Sequence, residues 1–233
     1  MSGEALREAR EAAGLSQQQA AEKLEVSQTL LSLMERGKRS VTFAVALKAV
    51  KLLEASPEHL PISEKERSSD DQLAADLGAL GYPGYTYLYS EPRNPAEILF
   101  DALDRDNLDA RLVEALPWLP LRYPQMNWAW LVAQAKLRNR QNRLGFVVNL
   151  SARAAATRGQ SSVAERLYEV LAELRKARLA KNDTLCQTWW PASHRRYAHE
   201  KRSRVAAYWN IDTRLTEKDL EHAVLGWGLA APK

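Results

Sequence analysis

The chain has 233 residues, of which 45% are hydrophobic and 27% charged, so it can bury a core and does not belong to the disordered class. No apolar run approaches the roughly 18 residues that a membrane-spanning helix needs, and the charged start MSGEALREAR is not a secretory signal. A single cysteine excludes an internal disulfide framework and a cysteine-based zinc cage. These features predict a cytoplasmic protein with no membrane partner.

The net charge of +4 conceals a strong segregation of charge along the chain. Residues 54–114 carry 5 basic and 14 acidic side chains, whereas residues 115–164 carry 7 basic side chains and no acidic one. Two interpretations remain open. The blocks form separate surfaces with separate partners, or they pair with each other inside one fold.

The first sixty residues contain the signals of five short helices. Residues 4–13 have apolar residues at helical spacing, and Gly14 ends this first helix. Ser16 caps the second helix, and Gln19 three residues later completes a capping box. The residues predicted to cap the third, fourth and fifth helices are Ser27, Thr42 and Ser56.

The stretch LREAREAAGLSQQQAAEKLEVSQTLLSLMERGKRS resembles the Cro/C1-type (XRE) helix-turn-helix family, and the similarity covers about residues 4–60. It depends on unrelated features at fixed offsets, including Ala20-Ala21 at the helix crossing and Val26-Ser27 at the turn. The resemblance implies an all-α protein whose residues 1–60 form a five-helix, lambda-repressor-like domain that binds a double-stranded DNA operator. The family usually has glycine at the turn, so Glu25 is expected to adopt a positive φ or to tilt the turn.

The resemblance also divides the polar residues of this domain into base contacts and phosphate contacts. Leu31 and Met34 face the core, which directs the opposite side of the third helix towards base edges in the major groove. Leu33 on the outer side contacts thymine methyls or belongs to a dimer or partner surface. The predicted DNA-binding residues are Gln28, Thr29 and Ser32 at base edges, Gln17, Lys38 and Arg39 at phosphates, and in addition Leu33 and Arg36. Because a single module reads few base pairs, a homodimer is expected.

A linker and a tyrosine-rich arm are predicted at residues 61–93. Residues 61–71 are polar and charged without apolar periodicity. In the Gly- and Pro-rich stretch that follows, Tyr85, Tyr87 and Tyr89 alternate, which is typical of an extended arm or of a short strand.

Residues 94–229 show helical patterns and are predicted to form a larger helical domain that binds a partner. One long helix is expected from near Asn127 to Ala155, and an amphipathic helix from Val163 to Ala177. The other predicted helices are Pro95–Leu103, Leu108–Leu116, Ala192–Trp209 and Thr216–Val224.

Two features of this region are candidate contact surfaces. Lys136, Arg140 and Arg143 are spaced at i, i+4 and i+7, which predicts a basic ridge on one helix face. Such a ridge can contact DNA, RNA or an acidic protein, or it is an ordinary solvated face. The adjacent Trp189 and Trp190 are candidate interface anchors, because tryptophan is enriched at binding hot spots.

No catalytic motif stands out in the sequence. The spacing of His194 and His199 is not that of a zinc-binding helix, and His59 and His222 are isolated from them. Cys186 is interpreted as a small buried hydrophobe. The chain is therefore predicted to be no enzyme and to need neither cofactor nor metal.

Residues 94–158 are similar to the helix-turn-helix partners of nucleotidyltransferase-type toxins. This resemblance implies an autoregulating, antitoxin-like repressor, for which a toxin is the partner protein of the larger domain. The alternative is a stand-alone transcription factor whose C-terminal domain senses a small molecule.

Overall fold

The computed structural model describes residues 1–63 and 68–220, and its fold is mostly helical, as predicted. Of these residues, 1–63 and 91–94 form one compact unit, here called the N-terminal unit. Residues 68–90 and 95–220 form a second one, here called the larger unit. No helix in the described part is long and apolar enough to cross a membrane.

The second, third and fourth helices of the N-terminal unit begin directly after their predicted caps, whereas Ser56 makes no side-chain capping bond at the fifth element. The helices of this unit are α1 (Gly3–Ala12), α2 (Gln17–Leu24), α3 (Gln28–Glu35) and α4 (Phe43–Leu52), followed by a short 3-10 turn at Pro57–His59. The Ser16 hydroxyl accepts a hydrogen bond from the Gln19 backbone, and the Gln19 side chain accepts one from the Ser16 backbone, so the predicted capping box is confirmed. The Ser27 and Thr42 hydroxyls cap α3 and α4 by accepting hydrogen bonds from the backbone N–H groups of Leu30 and Val45.

A returning segment, residues 91–94, belongs to the N-terminal unit. The Asn94 side-chain amide donates hydrogen bonds to the backbone carbonyls of Leu60, at 2.6 Å, and Glu58, at 3.3 Å. Lys51 of α4 forms an ion pair with Glu91. These contacts fix the carboxyl-terminal end of the unit, beyond the last 3-10 turn.

The larger unit contains the remaining elements of the described chain. Its helices are α5 (Asp70–Ala79), α6 (Pro95–Leu103), α7 (Ala110–Ala115), α8 (Trp118–Arg122), α9 (Trp128–Leu137), α10 (Gln141–Thr157), α11 (Ser161–Lys176), α12 (Ala192–Lys201) and α13 (Arg204–Tyr208). Two short strands, β1 (Asp183–Thr184) and β2 (Ile211–Asp212), pair in parallel, with Asp183 opposite Ile211.

The prediction of a linker and arm at residues 61–93 was wrong for much of this stretch. Helix α5 occupies Asp70–Ala79, begins at the Ser69 cap and buries Leu73 and Leu77. Asp70 and Asp71 in its first turn continue the charged stretch that precedes the helix, so the start of the helix has the composition of a linker. The tyrosines that follow form no strand within residues 81–90, where Tyr87 and Tyr89 are exposed and a 3-10 turn covers Pro83–Tyr85.

The predicted long helix from Asn127 is in fact two helices. Helix α9 ends at Leu137, and α10 begins at Gln141. Between them Asn139 has a left-handed φ of 57°, which asparagine tolerates better than most residues and which ends a helix.

The predicted helix at 192–209 is also divided, because Arg202 is extended before Ser203 caps α13. Further on, Thr216 bonds Asp219 through its backbone N–H, at 2.7 Å, as a helix cap does. Residues 217–220 are helical. Three parts of the prediction lie outside the described residues. They are the end of that helix at Val224, the residue His222 and the end of the 94–229 domain.

Helix α10 is the centre of the larger unit. It packs along its length against α11 and also contacts α8, α9 and α13. The Asn142 side chain binds Leu179 at both its backbone groups, with both bonds at 2.9 Å, and so fixes the chain after α11. At Gly145 the helix approaches the buried Trp209, and a Cβ atom at this position would lie 2.4 Å from the indole ring.

The substitution Gly145→Ala is therefore expected to destabilise the larger unit by about 1–3 kcal/mol, since either the indole or α10 must shift. Urea unfolding followed by tryptophan fluorescence measures this, because all seven tryptophans follow residue 117. Ala156→Ser, at an exposed position of the same helix, is the control. An unchanged midpoint for Gly145→Ala would contradict the close approach.

Candidate nucleic-acid interface

Helices α2 and α3 form a helix-turn-helix around small and apolar side chains. Ala20 and Ala21 are buried where α2 meets its neighbours, as are Leu31 and Met34 on α3. Small residues at this contact let the two helices approach closely. Because Leu31 and Met34 point into the core, the opposite side of α3 faces outward.

The turn between the two helices contains Glu25 in the left-handed conformation, with φ 57° and ψ 45°. The positive φ expected at this residue is thus confirmed. Lys48 of α4 supports the turn, since its Nζ lies 2.5 Å from a Glu25 carboxylate oxygen and 3.4 Å from the Leu24 carbonyl oxygen. The hydrogen bond from Lys48 lowers the pKa of the Glu25 carboxyl, so the pair persists at neutral pH.

The outer side of α3 carries the residues predicted to read bases. Gln28 and Thr29 are exposed, and Ser32 is half-buried one turn further along. Leu33 is also half-buried. It lines a groove of about 400 Å³ together with Leu30 and Thr42. Leu33 is thus partly covered, whereas Gln28 and Thr29 are exposed to solvent.

Gln17 lies at the first position of α2, where backbone N–H groups point outward. Its side-chain amide donates a 2.8 Å hydrogen bond to Glu35, which leaves one amide hydrogen for another partner. The Gln17 backbone N–H has no acceptor among the described residues. A phosphate at this helix end would therefore meet a backbone donor as well as the predicted side chain.

The loop after α3 presents two cations. Gly37 has a φ of 69°, and the backbone N–H groups of Lys38 and Arg39 both donate to the Leu33 carbonyl, which closes the helix. Both side chains are exposed, and neither forms an ion pair with another described residue. Arg36 is exposed as well, and its Nε donates to the Ser32 carbonyl at 3.0 Å. These cations are available for phosphate.

Sequence analysis missed the buried carboxylate that organises this surface. Glu35 accepts hydrogen bonds from Arg10 Nε at 2.6 Å, from Arg10 Nη2 at 3.2 Å and from Gln17. Arg10 also donates to the Leu15 carbonyl at 3.0 Å. A signal was present, because Glu35 follows Leu31 at i+4, on the buried stripe of α3, where a carboxylate needs a partner.

The comparisons with known proteins agree with this geometry. The profile of a helix-turn-helix domain family matches residues 3–61, which is about a quarter of the chain. No curated protein and no solved structure matches the chain. The N-terminal residues are a helix-turn-helix domain.

The basic ridge predicted on the larger unit was wrong. Lys136 lies on α9 and is paired with Glu173 at 2.8 Å, whereas Arg140 precedes α10. Arg140 forms ion pairs with Asp104, at 3.4 Å, and Asp106, at 3.1 Å. The acidic and basic blocks of the sequence therefore pair with each other at this place.

Arg143 is buried rather than exposed. Its guanidinium binds both carboxylate oxygens of Asp183, at 2.6 and 2.8 Å, and donates to the backbone carbonyls of Leu103 and Arg105. With no exposed surface, this side chain cannot reach an external partner. It connects α10 to β1 and to the chain after α6.

The two candidate tryptophan anchors differ in exposure. Trp189 is 64% exposed, whereas Trp190 is half-buried and stacks on His194, with ring centroids 5.3 Å apart. Only Trp189 retains the accessibility that an interface anchor needs.

The remaining candidates for chemistry have structural partners. Burial raises the pKa of the Cys186 thiol to about 11, so it stays protonated at neutral pH. The Cys186 thiol donates to the Ala102 carbonyl at 3.3 Å, and His199 bonds Asp212 at 2.8 Å. Within residues 1–63 and 68–220, no cluster of His, Cys, Asp and Glu side chains could hold a metal ion.

Replacing Glu35 by glutamine should destabilise the N-terminal unit by about 3 kcal/mol, because the largely buried Arg10 then loses its buried counter-charge and keeps only its ion pair with the exposed Glu11. This unit has no tryptophan, so amide hydrogen exchange of α1 and α3 is the suitable measurement. Glu22→Gln, which removes an exposed carboxylate from α2, is the control. Equal protection in both variants would show that the Glu35 network contributes nothing.

Proposed function

We propose that the chain is a sequence-specific DNA-binding repressor that binds its operator as a homodimer. The observation that carries this proposal is the position of Gln28 and Thr29 on α3, opposite the buried Leu31 and Met34. A helix of this kind enters the major groove with its amino-terminal residues at base edges. Because one such domain reads only a few base pairs, two copies on a two-fold symmetric operator supply the specificity.

The proposed interface divides affinity from specificity. The Gln28 amide can form two hydrogen bonds with adenine, and the Thr29 methyl can contact thymine. Lys38 and Arg39 carry unpaired charge and bind phosphates irrespective of sequence. The backbone N–H groups at the start of α2 contribute in the same way.

The substitutions Gln28→Ala and Lys38→Ala separate these roles. An operator is first selected from a random DNA pool. Gln28→Ala should weaken the binding free energy for that operator by about 1–3 kcal/mol and change the binding of random DNA little. Lys38→Ala should weaken binding to both DNAs alike. It should also reduce the slope of the logarithm of the binding constant against the logarithm of salt concentration by about one. Fluorescence anisotropy over a salt series measures both effects.

Glu22→Gln serves here too as the matched control, because it changes an exposed side chain of α2 away from the proposed readout residues. If Gln28→Ala weakened binding to operator and random DNA equally, the assignment of Gln28 to base readout would fail. A monomer on the operator, observed by analytical ultracentrifugation, would contradict the homodimer.

A second candidate concerns the larger unit, which we propose binds a toxin protein and does no catalysis itself. The exposed Trp189 supports this role, because a large aromatic side chain at the surface is a typical interface anchor. The chain should then co-purify with the product of an adjacent nucleotidyltransferase gene, and Trp189→Ala should release it. If the two proteins do not associate, the antitoxin role is excluded and DNA binding remains.

A further inference from the structure

A surface cavity of about 450 Å³, widely open to solvent, lies between α10, α11 and α13 in the larger unit. The side chains that line it include Asn149, Arg153, Tyr168, Arg175, Arg204 and Tyr208. None of its lining residues is acidic. Three of them carry guanidinium groups, so positive charge is concentrated around the cavity.

Two of these guanidinium groups lack a compensating charge. Arg153 is paired with Glu217, with Nη2 3.2 Å from a carboxylate oxygen. Arg175 and Arg204 are exposed, and neither forms an ion pair with any residue in the described ranges 1–63 and 68–220. The cavity therefore carries an uncompensated double positive charge, which favours an anionic ligand.

The remaining lining is aromatic and polar. Tyr168 and Tyr208 are 41% and 43% exposed, so both are accessible from solvent. Arg178 holds Tyr208 in place, because its guanidinium lies 5.0 Å from the ring centroid and donates to the Tyr208 carbonyl. Asn149 is half-buried, and its amide has no hydrogen-bond partner among the described residues.

We propose that this cavity binds a nucleoside phosphate. The phosphate would lie between Arg175 and Arg204, where planar guanidinium groups can form paired hydrogen bonds with its oxygens. A base would contact the tyrosine rings, and the Asn149 amide offers it one donor group and one acceptor. The volume is within the range of small-molecule sites, and a bare phosphate would leave the aromatic walls unused.

Titration calorimetry on the full chain tests this inference with three probes: adenosine 5′-diphosphate, adenosine and inorganic phosphate. The diphosphate should bind about tenfold or more tightly than either of the others, since only it uses both the arginines and the aromatic walls. Arg175→Gln and Arg204→Gln should each weaken its binding by about tenfold. Tyr168→Leu should reduce its advantage over inorganic phosphate.

Matched controls are available on the neighbouring surface. Lys176→Gln and Arg196→Gln remove positive charges from exposed positions of α11 and α12 that do not line the cavity, and they should leave the affinity unchanged. Thermal unfolding of every variant confirms that the fold persists. The inference is overturned if no phosphate-bearing probe binds, or if folded Arg175→Gln and Arg204→Gln variants bind as the parent chain does.

A single-stranded oligonucleotide of about eight nucleotides distinguishes a free nucleotide from a nucleic-acid backbone, which offers the same phosphate and base. Weaker binding of the oligonucleotide than of the diphosphate supports the proposal. Tighter binding through the same two arginines would overturn the assignment to a free nucleotide.

Discussion

The buried ion pair between Arg10 and Glu35 is the constraint on which the proposed DNA-binding surface depends. It connects α1 to α3, and the bonds from Gln17 and to the Leu15 carbonyl extend it to α2. A buried carboxylate is stable only while every partner is present, so the three helices can adopt few relative orientations. The side chains of Gln28 and Thr29 are positioned from this fixed frame.

Local chemistry made most of the N-terminal unit predictable. Ser16, Ser27 and Thr42 each satisfy an orphan backbone donor at the start of a helix, and this bond needs no information from distant residues. The left-handed Glu25 was predictable because the turn requires a positive φ whichever residue occupies it. The Glu35 network was not found, because its partners are 25 and 18 residues away in the chain.

The larger unit shows where patterns along the chain stop being informative. Apolar spacing continues from the sequence of α9 into that of α10, yet Asn139 adopts a left-handed conformation and separates the two helices. The basic ridge was predicted on the assumption that Lys136 and Arg143 share one continuous helix, and they lie on two different helices. Helix α5 was predicted as a linker, because its acidic start has the composition of one. Its buried Leu73 and Leu77 nevertheless form an apolar helix face.

Charge compensation separates structural cations from those available to ligands, and this holds for both units. Arg10 and Arg143 are buried against carboxylates, so removing either would leave an uncompensated charge inside the protein. Lys38 and Arg39 in one unit, and Arg175 and Arg204 in the other, have no such partner among the described residues and remain exposed. An exposed charge contributes little to stability, so its position is free to serve an external anion. Both proposals rest on this criterion: an anion can approach the unpaired charge on the loop after α3 in the N-terminal unit and the unpaired charge at the open cavity in the larger unit.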